Sequence, residues 1–311
     1  MPEAIAIVGT TAAGKSALAM ALARHSGRIE IVSVDSMAVY RGMDLATAKP
    51  SQHDRREVPH HLIDVLDPSE ECSVSLFKSL AHEAIAEIQA AGRIPLLVGG
   101  TGLYHRAVID DLEIPGSFPA LRAQLETVAD DPDGLAVLMA RLEELDPLAA
   151  GRIEPGNARR IVRALEVIEG TGRPFSSFGP GLETYTTSRV LQIGLAVPGE
   201  LVDRRIEARV EDWMAAGLLE EVTALLARPR GLSRTARQAI GYRELLEVVE
   251  GGADVEAAVA STIQRTKAFA RRQRAWFRRD PRVAWQDSAE QALAALEGAL
   301  ERMAPSAKVR N

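Results

Sequence analysis

Little in this chain suits an oxidising or membrane-embedded existence. Its one cysteine, Cys72, excludes an internal disulfide framework and a thiolate zinc site, and fits a reducing compartment. No stretch approaches the ~18 apolar residues of a membrane span. The start, MPEAIAIVGTTAAGK, meets a glycine loop and a lysine before any apolar run is long enough for a signal peptide. A soluble, unexported, cytoplasmic monomer with no membrane contact is expected. An excess of positive charge is also lacking: the net charge of -6 argues against a surface that is basic all over and leaves nucleic-acid binding to local stripes. Internal repeats and low-complexity segments are missing too.

What is present is enough for a full core. The 311 residues are 46% hydrophobic, and at about 150 residues per domain they suggest two domains, one main and one smaller. AIAIV at residues 4 to 8 reads as a strand and ALAMALARH at 17 to 25 as an amphipathic helix. A second strand, Ile29 to Val34, ends at Asp35 and Ser36; a helix over Val74 to Ala91 stops at Gly92; and Ile94 to Val98 is a third strand before the turn Gly99, Gly100, Thr101, Gly102. Strands alternating with helices predict an α/β fold, a P-loop NTPase-like doubly wound parallel sheet whose ligands sit beyond the carboxyl ends of the strands. From 115 to 187 the pattern turns to helices punctuated by Pro and Gly, which predicts a small inserted helical domain between two core segments, 1 to 114 and 188 to 311. The run VLQIGLAV returns to the sheet, and helices are expected over about 200 to 228, 236 to 250, 254 to 279 and 288 to 303.

GTTAAGKS at residues 9 to 16 fits G-x-x-x-x-G-K-[ST] with a strand before it and a helix after it, the context the motif requires. Backbone amides curl around phosphate oxygens, the helix N-terminus adds partial positive charge, Lys15 supplies a full one and Ser16 can hold Mg²⁺. The plainer alternative is a tight glycine turn with a surface lysine. In VSVDSMAVYRGMD the carboxylate of Asp35 lies at the sheet edge facing this loop. It can bind a metal, take a proton from an acceptor, or cap the following turn with Ser36 as the alternative cap, and spacing leaves all three open.

Two basic stripes stand out. Between residues 265 and 282 there are eight basic residues against one acid, Asp280. On a helix Lys267, Arg271, Arg274 and Arg278 share a face opposite Phe269 and Trp276, the expected core positions. With no acid nearby in sequence to pair with them, phosphate contact is expected in preference to a merely solvated face. Arg159, Arg160 and Arg163 form a second cluster. His60 and His61 are adjacent on an extended segment, so they point to opposite faces and are read as packing or hydrogen-bonding rather than metal ligands. Tyr104, Trp213, Trp276 and Trp285 read as core or partly buried aromatics, and Cys72 as inert.

GTTAAGKS, SVDSMAVYRGMDLATAKP, HHLIDVLDP, GRIPLLVGGTGLY, RRIVRALEVIEGTGRP, RRIEARVEDWMAAGLLEEV, QAIGYREL and RRQRAWFRR follow one another with suitable gaps. In that order, from about residue 5 to 280, they resemble the blocks of the tRNA dimethylallyltransferase family. The resemblance implies transfer of a dimethylallyl group from dimethylallyl pyrophosphate to the exocyclic amine of the adenosine just 3′ of the anticodon, with Mg²⁺ and release of pyrophosphate. It implies Asp35 as general base, Thr11 as a hydrogen bond to the pyrophosphate near the breaking bond, and Arg209 as a further pyrophosphate contact. Gly9, Thr10, Thr11, Ala12, Ala13, Gly14, Lys15 and Ser16 would hold the pyrophosphate, with Ser16 on the metal. Asp35, Ser36, Met37, Ala38, Thr101, Arg122, the stretch Arg159 to Arg163, and Gln238, Gly241, Tyr242 and Arg243 would line the site of the tRNA anticodon stem-loop, with Lys267, Arg271 and Arg274 from the first stripe. The chain departs from the family pattern at Thr10 for proline, Ala13 for serine, Ala38 for glutamine and Ala275 for threonine. The first two spare the phosphate contacts, whereas Ala38 bears on how an extruded adenine is held.

The chemistry suits these parts. Breaking an allylic carbon to oxygen bond leaves extra negative charge on the departing pyrophosphate, which a preorganised cationic cradle stabilises, and the five-carbon tail needs an apolar pocket. Adenine's amine is a weak nucleophile, helped by a carboxylate that removes its proton, and the base must leave the anticodon-loop stack to be reached. Three rivals share some features: a P-loop kinase of a small metabolite, a prenyltransferase acting on free adenosine phosphate, and a silent tRNA-binding module. Intact Lys15, Ser16 and Asp35 speak against the last, and the basic stripes against a free-nucleotide acceptor.

Overall fold

The first strand, β1 (Ala4–Val8), is buried along its whole length. Ile5 and Ile7 pack into one apolar cluster and Ala4, Ala6 and Val8 into another, as expected of a central strand with helices over both faces. The structure, a computed structural model, describes residues 3–179, 181–182 and 184–303. Along the chain follow α1 (Lys15–Ser26), β2 (Ile29–Val34), α2 (Gln52–Glu57), β3 (His60–His61), α3 (Val74–Ala90), β4 (Ile94–Gly99) and α4 (Gly102–Ile109). Next come α5 (Pro119–Ala129), α6 (Gly134–Leu145), α7 (Pro147–Ala150) and α8 (Ala158–Thr171). The last elements are β5 (Val190–Leu195), α9 (Gly199–Ala215), α10 (Leu218–Leu226), α11 (Tyr242–Gly251), α12 (Val255–Arg278), β6 (Val283–Gln286) and α13 (Ala289–Met303). None of the helices among the described residues is long and apolar enough to cross a membrane.

The chain forms two compact units, one of residues up to Asp110 and from Thr187 onward, the other Asp111–Thr186. In the first, all pairings of the sheet are parallel and the strand order is β3-β2-β4-β1-β5-β6. Ile7 lies opposite both Val98 and Ile193, and Val34 opposite Gly99. The carboxyl ends of β1, β2, β4 and β5 are therefore level, and the loops after them open on one edge, where parallel α/β sheets bind ligands. One face is covered by α1 and α13 and the other by α3, α10 and α11. In the second unit Ile161, Ala164, Leu165 and Ile168 recur at helical spacing along α8 and pack with Leu125 of α5 and Leu138 and Leu142 of α6.

Three details differ from the expectation. The helix expected over 200 to 228 is broken into α9 and α10, because Gly217 takes φ +97 between them, a conformation open to glycine and costly for other residues. The strand β6, with sequence VAWQ, extends the sheet beyond β5, although no strand is expected there. On α12 the core face is Ala270, Gln273 and Phe277, while Phe269 and Trp276 are only half-buried, so the apolar stripe is turned from its expected position.

Candidate active site

The loop after β1 is built to meet an anion. Helix α1 begins at Gly14 with no side-chain cap and no acid in its first turn, so its leading amides and dipole face outward without an internal anion to satisfy them. The Ala13 amide donates to the Thr10 carbonyl at 3.3 Å. Ala12 is held at φ +58, a left-handed conformation costing an alanine about 1–2 kcal/mol. Lys15 bends back over the loop, its ammonium donating to the Thr10 carbonyl at 2.7 Å. Desolvation pushes that ammonium down to about 8; Asp35 opposes the shift and Arg209 reinforces it. From α9, Arg205 donates to the Ala12 carbonyl at 3.2 Å. Burial, then repulsion by Arg205, lowers the pKa of Arg209, with Asp212 acting against them. Three cations thus converge on one short loop. An open groove of about 500 Å³ borders it, lined by Ala12, Ala13 and Gly14, by Arg205 and Arg209, and by apolar side chains including Ala17, Leu18 and Leu293.

Arg205 is absent from the site expected from sequence, although it stands four residues before Arg209 and so shares its helix face. A second unexpected member is Gln273 of α12. Its Oε1 accepts from the Thr11 amide at 2.8 Å and its Nε2 donates to the Gly100 carbonyl at 2.9 Å. No motif marks a glutamine among arginines for this position.

Asp35 follows β2 and does cap its turn: Oδ1 accepts from the amides of Met37 at 2.8 Å and Ala38 at 3.3 Å. Capping and proton transfer are compatible, since the second carboxylate oxygen has no hydrogen-bond partner among the described residues. Ser36 and Met37 are half-buried and Ala38 is buried with the core. Thr101 precedes α4 without using its hydroxyl as a cap. Ser16 is exposed in the first turn of α1. Among the described residues no group of three or more His, Cys, Asp or Glu side chains could enclose a metal. A divalent ion at Ser16 would therefore draw most of its ligands from phosphate oxygens and water, which fits an ion that travels with pyrophosphate.

The residues expected to meet tRNA divide by accessibility. Arg159 and Arg160 at the start of α8, Gln238, Arg243 and Arg271 are exposed. Tyr242 is wholly buried and its hydroxyl donates to Glu221, so it serves the core, and neighbouring Gly241 is buried as well. Lys267 pairs with Glu207 of α9 at 2.5 Å, an acid distant in sequence that the local reading of the basic stripe overlooks. Arg274 donates to the Val197 carbonyl at 3.0 Å. In the second unit Arg122 and Arg163 converge on Glu166, a fully buried carboxylate, at 2.6 and 3.0 Å, and Arg163 also donates to the carbonyls of Pro115 and Gly116. Burial opposes ionisation of Glu166, yet the Phe118 amide and the two guanidinium groups hold its carboxyl below the usual range. His60 is hydrogen-bonded with the Val58 carbonyl and His61 with Glu30, the packing role expected of them.

A cationic loop of this kind at the carboxyl edge of a parallel sheet is the hallmark of enzymes of the P-loop α/β class. The sequence profile described as IPP transferase matches residues 38–280, and the chain belongs to that family. Among its relatives are the tRNA dimethylallyltransferase of Salinispora arenicola, 49% identical over 94% of this chain and 84% of that one, and its counterpart from Kineococcus radiotolerans, 50% identical over 90% and 89%. The solved tRNA isopentenylpyrophosphate transferase of Bacillus halodurans has a TM-score of 0.69 at 36% identity, covering 97% of this chain and 98% of its own. A eukaryotic dimethylallyltransferase solved while acting on tRNA has a TM-score of 0.79 at 26% identity, covering 100% and 82%.

Proposed function

We propose that this enzyme transfers the dimethylallyl group of dimethylallyl pyrophosphate to the exocyclic amine of the adenosine 3′ to the anticodon in tRNA, releasing pyrophosphate. The observation that carries the reading is the convergence of Lys15, Arg205 and Arg209 on the loop after β1, with Asp35 near enough to raise the proton affinity of Lys15. Such a cradle is matched to a ligand that gains negative charge as its carbon to oxygen bond breaks. The amides of Ala12 and of Gly14 to Ser16 and the Lys15 ammonium hold the phosphates, the Thr11 hydroxyl meets the leaving oxygen, and the groove beside the loop admits the donor. Mg²⁺ held by Ser16 and the phosphates would supply further neutralisation of the leaving group. Asp35, oriented by its cap to Met37 and Ala38, accepts the proton from the adenine amine as the new bond forms, a contribution of roughly 10²- to 10⁴-fold. The exposed Arg159, Arg160, Arg243 and Arg271 contact the phosphates of the tRNA.

The test is incubation with Mg²⁺, dimethylallyl pyrophosphate and unmodified tRNA, followed by mass analysis of the nucleosides. Prenylated adenosine in tRNA is the expected product. Prenylated AMP in a parallel reaction, or phosphate transfer from ATP without prenylation, would overturn the assignment.

A further inference from the structure

The side chain of Gln273 joins two loops that the sequence keeps far apart. It lies on the buried face of α12, 5% exposed, and its carboxamide has one acceptor oxygen and a donor nitrogen. The oxygen takes the Thr11 amide at 2.8 Å and the nitrogen gives to the Gly100 carbonyl at 2.9 Å. These backbone groups belong to the loops after β1 and β4, adjacent strands of the sheet. The fit is close: a Cβ on Gly100 would stand 2.2 Å from Gln273 Nε2, and a Cβ on Gly102 would stand 2.3 Å from Trp276 Cδ1. Helix α12 therefore presses on both glycines that flank Thr101. One residue beyond Gln273, Arg274 holds the Val197 carbonyl after β5 at 3.0 Å, so the same turn of helix ties down a third loop of this edge.

Because the Thr11 amide is occupied by Gln273, Thr11 can reach the pyrophosphate only through its hydroxyl, and the carboxamide fixes where that hydroxyl stands. We propose that Gln273 is a positioning residue for group transfer: it locks the pyrophosphate loop to the Gly100–Thr101 turn, so that the leaving oxygen and the incoming adenine meet in register. The proposal rests on the function given above and adds to it a residue that touches neither substrate. Removing such a lock loosens the reacting geometry while leaving each substrate's own contacts in place, and small losses of alignment are costly to the chemical step.

The experiment compares Gln273→Leu, Gln273→Glu, Thr11→Ala and the double variant Thr11→Ala/Gln273→Leu in single-turnover prenylation of tRNA, alongside tRNA affinity and thermal melting. Gln273→Leu keeps the bulk and loses both hydrogen bonds. Its single-turnover rate at saturating substrates is expected to fall on the order of 10²-fold, with tRNA affinity changed less than about 3-fold. A protonated glutamate offers the same acceptor and donor as the amide, whereas an ionised one repels the Gly100 carbonyl, and burial raises a carboxyl pKa. The ratio of Gln273→Glu to wild-type turnover should therefore climb at least 5-fold as pH is lowered from about 8 to about 6. The pH dependence of groups common to both proteins, Lys15 above all, cancels in that ratio. This readout stays informative if the leucine variant folds poorly. If Gln273 works through Thr11, the double variant is no slower than the slower single variant by more than about 3-fold. Normal turnover of Gln273→Leu with impaired Thr11→Ala, or a pH-independent ratio for Gln273→Glu, overturns the positioning role and leaves the reaction standing. Multiplicative losses in the double variant overturn the route through Thr11, and absence of prenylation by the wild type removes the function on which the proposal rests.

Discussion

Lys15 donates to the carbonyl of Thr10, five residues back on the same loop, at 2.7 Å. This ammonium is desolvated by burial beside a second cation, Arg209, and its pKa falls to about 8 even though Asp35 opposes the shift. An unfolded lysine titrates near 10.4. Between about pH 8 and 10 the unfolded chain therefore binds more protons than the folded one, and Lys15's contribution to stability rises with pH across that window. Below it, the charged side chain is a standing cost that the site carries for its ligand. Lys15→Met is accordingly expected to melt no lower than the wild type at pH 7, while donor affinity falls roughly 10- to 100-fold through loss of a charge-assisted hydrogen bond. In the wild type, kcat/KM for the donor should decline above about pH 8, since that parameter reports the free enzyme. A profile flat to pH 9.5 would contradict the assignment.

Asp35 offers a cleaner variant than alanine. Its Oδ1 caps the turn through the Met37 and Ala38 amides, and an asparagine keeps that acceptor while losing basicity. Asp35→Asn should leave melting temperature and tRNA affinity at wild-type values and cut turnover roughly 10²- to 10⁴-fold. Weakened tRNA binding with normal turnover at saturation would remove the general-base role.

How far the sequence speaks for itself depends on what kind of signal each residue leaves. β1 and β4 are legible because strands buried on both faces are unbroken apolar runs, β2 and β5 because only isolated polar residues interrupt theirs, and the phosphate loop because backbone geometry forces its glycines and lysine. β6 escapes notice because VAWQ is short and borders polar residues, and it is a strand only because β5 offers it a free edge. The partners of Lys267 and Arg122 are hidden for another reason. Glu207 is 60 residues from Lys267 and Glu166 is 44 residues from Arg122, so a reading of local charge sees cations without counterions. Gln273 is harder still, because both of its partners are backbone groups, which leave no mark on the sequence.

On α12 the structure separates two kinds of arginine. Arg271 and Arg272 are exposed, whereas Arg274 holds the Val197 carbonyl. Arg271→Ala should weaken tRNA binding about equally across sequences and reduce the slope of log affinity against log salt by about 1. Arg274→Ala is expected to lower turnover as well, because the loop after β5 is released. An Arg271 variant with an unaltered salt slope would mark that position as solvated surface.

Glu166 anchors the second unit. Its carboxylate is fully buried and accepts from the Phe118 amide and from Arg122, with Arg163 paired alongside. The carboxyl is held below its usual range, so its stabilising contribution is present above the unfolded value of about 4.3 and is lost as pH falls through the folded one. Replacing one member of a buried ion cluster leaves uncompensated charge and costs roughly 3–5 kcal/mol. Glu166→Gln should therefore raise hydrogen exchange throughout α5 to α8 at pH 7, with the amides of β1 and β4 unaffected. Arg122→Ala leaves the carboxylate half-neutralised and should act in the same direction, more weakly, because Arg163 and the Phe118 amide remain. This also separates the two roles open to Arg122. If its guanidinium serves Glu166, its removal loosens the helices of this unit and leaves the salt dependence of tRNA binding unchanged; if it grips phosphate, the salt slope falls by about 1 and the exchange rates stay where they were.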